Sequence, residues 1–540
     1  MGKHDGAPWW RGAVIYQIYP RSFQDSNGDG IGDLPGILAR LDHIADLGVD
    51  AIWISPFFKS PMADFGYDIA DYRDVDPMFG TLADFDAVIA KAHALGLKLM
   101  IDQVLSHTSA EHAWFKESRE NRTNAKADWY VWADAKPDGS PPNNWLSLFG
   151  GVAWQWEPRR GQYYLHNFLT SQPDLNFHHP DVQQAALDNL RFWLDRGVDG
   201  FRLDAINFCF HDPLLRDNPA KPPELRVGRG FSPDNPYAFQ YHHHNNTQPE
   251  NLAFLERIRA LLDAYPDAAA LGEISSEDSL ATMAEYTSGR RLHMGYSFEL
   301  LTDDFSAGHI RDTVATLEAR MTEGWPCWAI SNHDVRRVAT RWGGAQPSPQ
   351  LAPMLCALAA SLRGSVCVYQ GEELGLPEAE VPFELLQDPY GLSFWPTFKG
   401  RDGCRTPMPW QAATHAGFTS GTPWLPVADT HVARNVAAQA ADPASTLNQY
   451  RRFLRWRARQ PALIDGDIRF LDTAEPVLAF TRTHADQTLL CVFNLGAEAQ
   501  SFALPSNRSV ALADSPFTAA TLDANTLQLP AHAACYLIAP

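Results

Sequence analysis

The sequence predicts an α/β protein: a (β/α)8 barrel with a small domain inserted after the third strand and an all-β sandwich domain at the C-terminus. Three observations carry this expectation. Short apolar runs alternate eight times with amphipathic helical segments, the pattern of βα units around a parallel sheet. The third and fourth runs stand about twice as far apart as one βα unit requires. Beyond residue 460 the chain changes to short apolar segments between turn signals, as an all-β domain does.

The eight runs are Ala13–Gln17, Ala51–Ile54, Lys98–Ile101, Gly200–Leu203, Ala270–Glu273, Leu292–Phe298, Cys327–Ile330 and Val366–Tyr369. After the first, Leu34–Leu47 sets Ile37, Leu38, Leu41, Ile44 and Leu47 at helical spacing, and Gly48 ends the helix. Val182–Leu194 repeats the pattern before Asp195-Arg196-Gly197. A glycine hands helix to strand in LGVDAIWI, LGLKLMID and RGVDGFRLD. The barrel is therefore expected from residues 1–102 and 174–462, closed on itself. Residues 103–173, rich in Trp, Asn, Pro and Gly, read as the inserted domain. A second Pro- and Trp-rich segment, 375–448, is expected to elaborate the barrel mouth. Residues 463–540, with Val477–Arg482, Leu489–Phe493 and Cys535–Ile538, form the expected β domain.

Composition bounds the function. The 540 residues carry 44 Lys and Arg against 64 Asp and Glu, a formal net charge of −20. An acidic chain is a poor partner for nucleic acid or anionic lipid. No run of 18 apolar residues predicts a membrane span, and no signal-peptide pattern opens the chain. Seven cysteines, odd in number and without CxxC spacing, predict buried free thiols and a cytoplasmic location. The His242–His244 run lies in a polar, Pro-rich stretch and reads as a loop, not a metal site.

Working groups of such barrels sit at the C-terminal ends of strands. Here strand three ends in Asp102 with His107 close behind, strand four in Arg202-Leu203-Asp204, strand five in Glu273 and strand seven in Asn332-His333-Asp334. Arg202 and Asp204 share one side of an extended strand. The arginine is expected to depress the pKa of Asp204 and keep it ionised. Each residue alone has a structural explanation, as an N-cap or an ion pair. Their convergence does not, because several acids at one rim repel unless chemistry uses them. Paired carboxyls, one attacking and one delivering a proton, suit glycosidic bond cleavage. No GxSxG elbow, P-loop or HExxH competes for the same mouth.

The chain resembles the α-amylase family of glycoside hydrolases, in its exo-acting α-glucosidase and oligo-1,6-glucosidase branch. The resemblance rests on WWRGAVIYQIYPRSFQDSNGDGIGDLPGI near the start, FGYDIADY at Phe65–Tyr72, DQVLSHTS at Asp102–Ser109 and SQPDLNF at Ser171–Phe177. GFRLDAI at Gly200–Ile206, LGEI at Leu271–Ile274, SNHDVRR at Ser331–Arg337 and GRDGCRTPMPW at Gly400–Trp410 complete it. It implies Asp204 as nucleophile, Glu273 as general acid and base, and Asp334 as the third acid. It further implies Arg202 steering Asp204, and His107 and His333 bonding the glucose. Tyr67 would stack on the sugar, Asp68 would contact a hydroxyl, Arg401 would close the far end and Phe168 would wall the entrance. The implied activity is a retaining exo-α-glucosidase acting on small α-glucosides, with transglucosylation to alcohols. A sucrose- or trehalose-processing relative is the alternative, and a non-catalytic carbohydrate-binding scaffold the third reading. A monomer or homodimer is expected.

Two departures stand out. Ser106 replaces the family's usual Asn, and Val335-Arg336 replaces Gln-Pro, which makes Arg336 a candidate for the leaving-group site. Ala205 after the nucleophile implies a preference for α-1,4 linkages. The loop DSNGDGIGD alternates Asp25, Asn27, Asp29, the Ile31 carbonyl and Asp33. That pattern fits a hard cation or a solvated Asp/Gly turn. Gly36 at the twelfth position rejects an EF-hand. The resemblance implies a structural Ca2+ or Mg2+, and no organic cofactor.

Overall fold

The computed structural model describes residues 7–228, 231, 234–485, 487–504 and 511–539. Eight parallel strands form one sheet: β1 Val14–Ile18, β2 Ala51–Ile54, β3 Lys98–Val104, β4 Gly200–Asp204, β5 Ala269–Ile274, β6 Met294–Ser297, β7 Cys327–Ala329 and β8 Ser365–Tyr369. Their order is β6-β5-β4-β3-β2-β1-β8-β7. A single parallel bridge between Gly295 and Pro326 brings β6 to β7, so the barrel is nearly closed. The strands match the eight apolar runs; β3 continues to Val104, which puts Asp102 inside the strand instead of at its tip.

Alternation sorts the side chains. Ile15, Trp53, Met100, Leu271, Met294 and Cys327 fill the barrel interior. Tyr16, Ile52, Leu99 and Phe201 face outward into the layer of helices. Those helices are α1 Leu34–Leu47, α2 Leu82–Ala94, α3 Pro180–Asp195, α4 Asn251–Leu262, α5 Ser279–Thr287, α6 Ala307–Arg320, α7 Leu351–Ala359 and α8 Thr446–Arg457. Asp33 caps α1 through the Gly36 N–H, and Gly48 ends it with φ 91°. Thr81 and Asp84 form a reciprocal capping box on α2.

Between β3 and α3 lies a three-stranded antiparallel sheet made of Trp132–Ala133, Gln162–Leu165 and Trp154–Glu157. Its small core includes Trp145, Trp154 and Leu165. The C-terminal part forms two antiparallel sheets around Ala479, Val492, Leu527 and Leu537. It is fastened to the barrel by buried polar contacts: Arg482 donates to the carbonyls of Ser361 and Leu362, and Tyr536 reaches Ser361 Oγ at 2.7 Å. All seven cysteines are buried and free. Among the described residues, no helix is long and apolar enough to cross a membrane.

Candidate active site

The strand ends converge on one cavity of about 760 Å3, counted out to its open mouth. Asp204, Glu273 and Asp334 all line it, together with Tyr67, His107, Phe168, His333 and Arg401. Beneath them lies Arg202, fully buried. Its Nη1 donates to Asp204 Oδ1 at 2.6 Å and to Asp102 Oδ1 at 2.9 Å, and its Nη2 contacts Glu273. One guanidinium therefore grips Asp204 and Glu273 from its two terminal nitrogens. Glu273 also accepts from the Ala205 N–H at 3.0 Å and the Tyr296 hydroxyl at 2.9 Å. Ala205 sits in the left-handed region, with φ 40°. That turn ends β4 beside Asp204, a strained position of the kind that collects at reactive sites.

The acids divide electrostatically. Burial raises Glu273 to about 7, against Arg202 and with help from Asp204 and Asp334. Asp204 is also raised to about 7 by burial, which outweighs Arg202. This corrects the expectation that its arginine would hold it below the usual range. The physical reason is burial first, with the charges of Asp102 and Asp334 adding to it, while Arg202 is shared with Asp102 and Glu273. Asp334 behaves oppositely. Burial opposes its ionisation, but the positive charges around it, chiefly those of Arg401 and Arg405, outweigh burial and hold it far below the usual carboxylate range. Burial lowers His333 itself to about 3, so at neutral pH the ring is uncharged and the two arginines do this work. They stand 3.3 Å and 3.0 Å from Asp334 Oδ1.

The far end is built from distant segments. Arg401 donates to Asp64 Oδ1 and to Asp388 Oδ1, each at 2.8 Å, and lies 5.3 Å over Phe149. Tyr67 stacks on His333 at 5.2 Å, nearly parallel, and its hydroxyl donates to Asp102 at 3.0 Å. His107 donates from Nε2 to the Tyr67 carbonyl at 3.0 Å, and Ser106 Oγ stands 3.0 Å from its Nδ1. Burial lowers His107 to about 4, so it is neutral. Phe168 packs 4.9 Å from His107 and 5.2 Å from Phe208.

One expected contact is corrected. Asp68 is fully buried and does not line the pocket. Its oxygens are taken by Ser60 Oγ and by the N–H groups of Ala63 and Asp64. The carboxylate that reaches the pocket is Asp64, three residues before Tyr67. Phe65 and Gly66 turn the chain with φ 51° and 109°, so Asp64 and Tyr67 both line the cavity. A Cβ on Gly66 would stand 2.9 Å from the Pro56 carbonyl. Nor is Arg336 at the pocket wall: it pairs with Asp303 at 3.1 Å, about half exposed. Sequence reasoning also missed Gln172, Asp388, Tyr390 and Arg405. Arg405 and Gln172 were within reach, in GRDGCRTPMPW and SQPDLNF; Asp388 and Tyr390 sit at the start of the short helix Pro389–Phe394, in a stretch with no long periodic pattern.

The Asp25–Asp33 loop lies apart from the cavity lining. Asp25 accepts from the N–H groups of Asn27, Gly28 and Gly30 and from Thr419 Oγ1. Asn27 and Asp29 each accept from the N–H two residues on. Asp33 accepts from Gly36 and Ser26. Among the described residues, no three Asp, Glu, His or Cys side chains group closely enough to hold a metal unaided. A cation here would need the Asn27 oxygen and the Ile31 carbonyl as well. The donor set is all oxygen, which suits a hard ion.

Comparison with known proteins agrees with this geometry. Residues 17–466 match the family described as Alpha amylase, catalytic domain, and residues 477–535 match the Alpha-amylase SusG C-terminal domain. A probable alpha-glucosidase of Rhizobium meliloti (strain 1021) is 58% identical over 98% of this chain and 96% of its own length. An oligo-1,6-glucosidase of Parageobacillus thermoglucosidasius is 37% identical over 92% of each chain. The solved alpha-glucosyl transfer enzyme XgtA is 70% identical and superposes with a TM-score of 0.98, covering 99% of this chain and 100% of that one. With three acids at the mouth of a nearly closed barrel, and matches running through barrel and β domain alike, this chain belongs to the alpha-amylase family.

Proposed function

We propose that the protein is a retaining exo-acting α-glucosidase that removes single glucose units from short α-glucosides and transfers some of them to alcohol acceptors. The observation that carries the reading is Arg202 holding Asp204 and Glu273 on one guanidinium. Carboxyls that share one guanidinium suit direct attack by a carboxylate, whereas inverting enzymes space their acids to admit a water between them.

In the first step Asp204 attacks the anomeric carbon and forms a β-glucosyl ester. The glycosidic oxygen leaves with the proton of Glu273. In the second step Glu273 takes a proton from water or an alcohol, whose oxygen attacks the same carbon and frees Asp204. Two displacements restore the α configuration. A Glu273 pKa raised to about 7 suits a group that must give and take a proton. Ionised Asp334 binds sugar hydroxyls and offsets positive charge on the ring. The Arg401–Asp64–Asp388 cluster shuts the far end, so the non-reducing glucose enters first and alone. The small side chain of Ala205, lining the pocket beside Asp204, supports the preference for α-1,4 linkages.

The Asp25–Asp33 loop would hold a structural Ca2+ or Mg2+ through Asp25, Asn27, Asp29, the Ile31 carbonyl and Asp33, stiffening the connection from β1 to α1. Seven buried free thiols support a reducing, cytoplasmic setting. The test is an NMR time course on maltose, isomaltose, sucrose and p-nitrophenyl α-glucoside, with and without an alcohol. The reading expects α-glucose as first product and α-glucosides of the alcohol. Trehalose or a sucrose isomer as main product would favour the alternative, and no turnover at all the scaffold.

A further inference from the structure

One buried amide beside the pocket has no part in the steps above. Gln17 lies near the end of β1 and is fully buried. Ile15 belongs to the barrel interior and Tyr16 to the outer layer, so Gln17 points inward. Its Nε2 stands 3.2 Å from Ser55 Oγ and 2.7 Å from Nδ1 of His333. Its Oε1 has no partner among the described residues.

A neutral imidazole carries one proton, on one nitrogen or the other. On the pocket side, Nε2 of His333 stands 3.3 Å from Asp334 Oδ2. Asp334 is held ionised by Arg401 and Arg405 and offers only lone pairs. A lone pair on Nε2 would face those lone pairs, so Nε2 carries the proton. Nδ1 then has a lone pair to satisfy, and only a donor can do so. The Gln17 amide nitrogen is that donor; the reversed amide would set oxygen against the lone pair. Asp334 on one side of the ring therefore demands this tautomer, and the Gln17 amide on the other, with its nitrogen toward Nδ1, matches it. Stacking on Tyr67 at 5.2 Å and on Tyr19 at 5.7 Å fixes the plane of the ring. The other charged groups facing it, Arg202, Arg401 and Arg405, all disfavour a second proton. His107 repeats the arrangement, with its Nε2 on the Tyr67 carbonyl and its Nδ1 on Ser106 Oγ.

We propose that Gln17 is a positioning residue: by donating to Nδ1 it holds the proton of His333 on Nε2, where the ring presents a neutral hydrogen-bond donor to the sugar hydroxyl that Asp334 also binds. The hydroxyl rests on the glucosidase reading; the tautomer does not. Without the donor, Nδ1 is left unpaired in a buried site or takes the proton itself, and Nε2 then opposes the Asp334 carboxylate.

The test is histidine-selective 15N labelling of the full chain and two-bond 1H–15N correlation at pH 7. The His333 signals are identified by their loss in His333→Asn. The expected wild-type pattern is a protonated Nε2 and an unprotonated, hydrogen-bonded Nδ1. Gln17→Met removes the donor at nearly equal volume. It should move the Nδ1 resonance toward that of a free ring nitrogen and lower kcat/KM by about 3- to 10-fold, the range for one hydrogen bond between neutral groups. A wild-type His333 protonated on Nδ1, or an Nδ1 resonance unmoved in Gln17→Met, overturns the proposal whatever the activity. Should Gln17→Met fail to fold, the wild-type tautomer alone still decides. A protein with the expected tautomer that cleaves no α-glucoside would overturn the functional reading and leave the tautomer standing.

Discussion

Arg202 Nη1 donates to Asp204 Oδ1 across 2.6 Å, from two residues back on the same strand. The same guanidinium also holds Asp102 and Glu273. Removing it would leave buried carboxylates without their shared counter-charge, so Arg202→Met is expected to lose about 3–5 kcal/mol of stability. Arg202→Lys keeps the charge but loses the fork. We expect it to fold and to lose about 100-fold or more in kcat/KM through misplaced carboxylates. Thermal unfolding and initial rates on p-nitrophenyl α-glucoside check both.

The pH profile should peak near neutrality. Asp204 and Glu273 each titrate about 7 and interact, so they act as a pair. The working form carries one proton on the pair. Below about pH 6 a second proton neutralises the nucleophile; above about pH 8 the general acid loses its proton. A kcat/KM profile from pH 4.5 to 9.5 checks this, and a flat plateau from pH 5 to 9 would refute it.

Below neutrality, stability should move against activity at Asp204. Its folded pKa of about 7 lies above the ordinary 3.8. Between those values the native state binds more protons than the unfolded chain, so this group's contribution falls as pH rises through that window and is lost above it. Asp204→Asn removes a buried charge that is present at pH 8 and mostly absent at pH 5. The variant should therefore melt higher than wild type at pH 8 and close to it at pH 5. Calorimetry at the two values checks the sign.

Asp64 and Asp68 should separate by phenotype. Asp64→Asn weakens the Arg401 cluster at the closed end, so we expect KM to rise about tenfold or more with modest loss of stability. Asp68→Asn disturbs a turn that takes three hydrogen bonds. It should lower the melting temperature and leave KM near wild type in the folded fraction.

For the Asp25–Asp33 loop, a chelator should lower the melting temperature, and Ca2+ or Mg2+ should restore it, because an ion bound only by the native state stabilises it by mass action. Turnover below the transition should not change. A melting temperature indifferent to chelator would argue for a plain Asp/Gly turn.

Much of this was legible in the chain because the signals are local. Eight apolar runs gave eight strands, and Asp204 and Glu273 stand at strand ends where a barrel must bring them together; β7 stops at Ala329, so Asp334 reaches the same rim from the loop that follows it. Asp64 was not legible, because its place depends on the Phe65–Gly66 turn, not on a strand. The Asp204 pKa runs against the sequence expectation because the sequence shows Arg202 two residues away but not the depth of burial, nor the neighbouring carboxylate Asp102. Asp388 and Tyr390 could not be found, since the long segment that carries them has no periodicity to place it.

The central claim is that Asp204 bonds to glucose. Mass spectrometry of Glu273→Gln, digested after brief exposure to an α-glucoside with a good leaving group, tests it most directly. The account predicts a hexosyl adduct on the peptide containing Asp204, which azide discharges. An adduct elsewhere, or free β-glucose as the first product of the wild type, would contradict it.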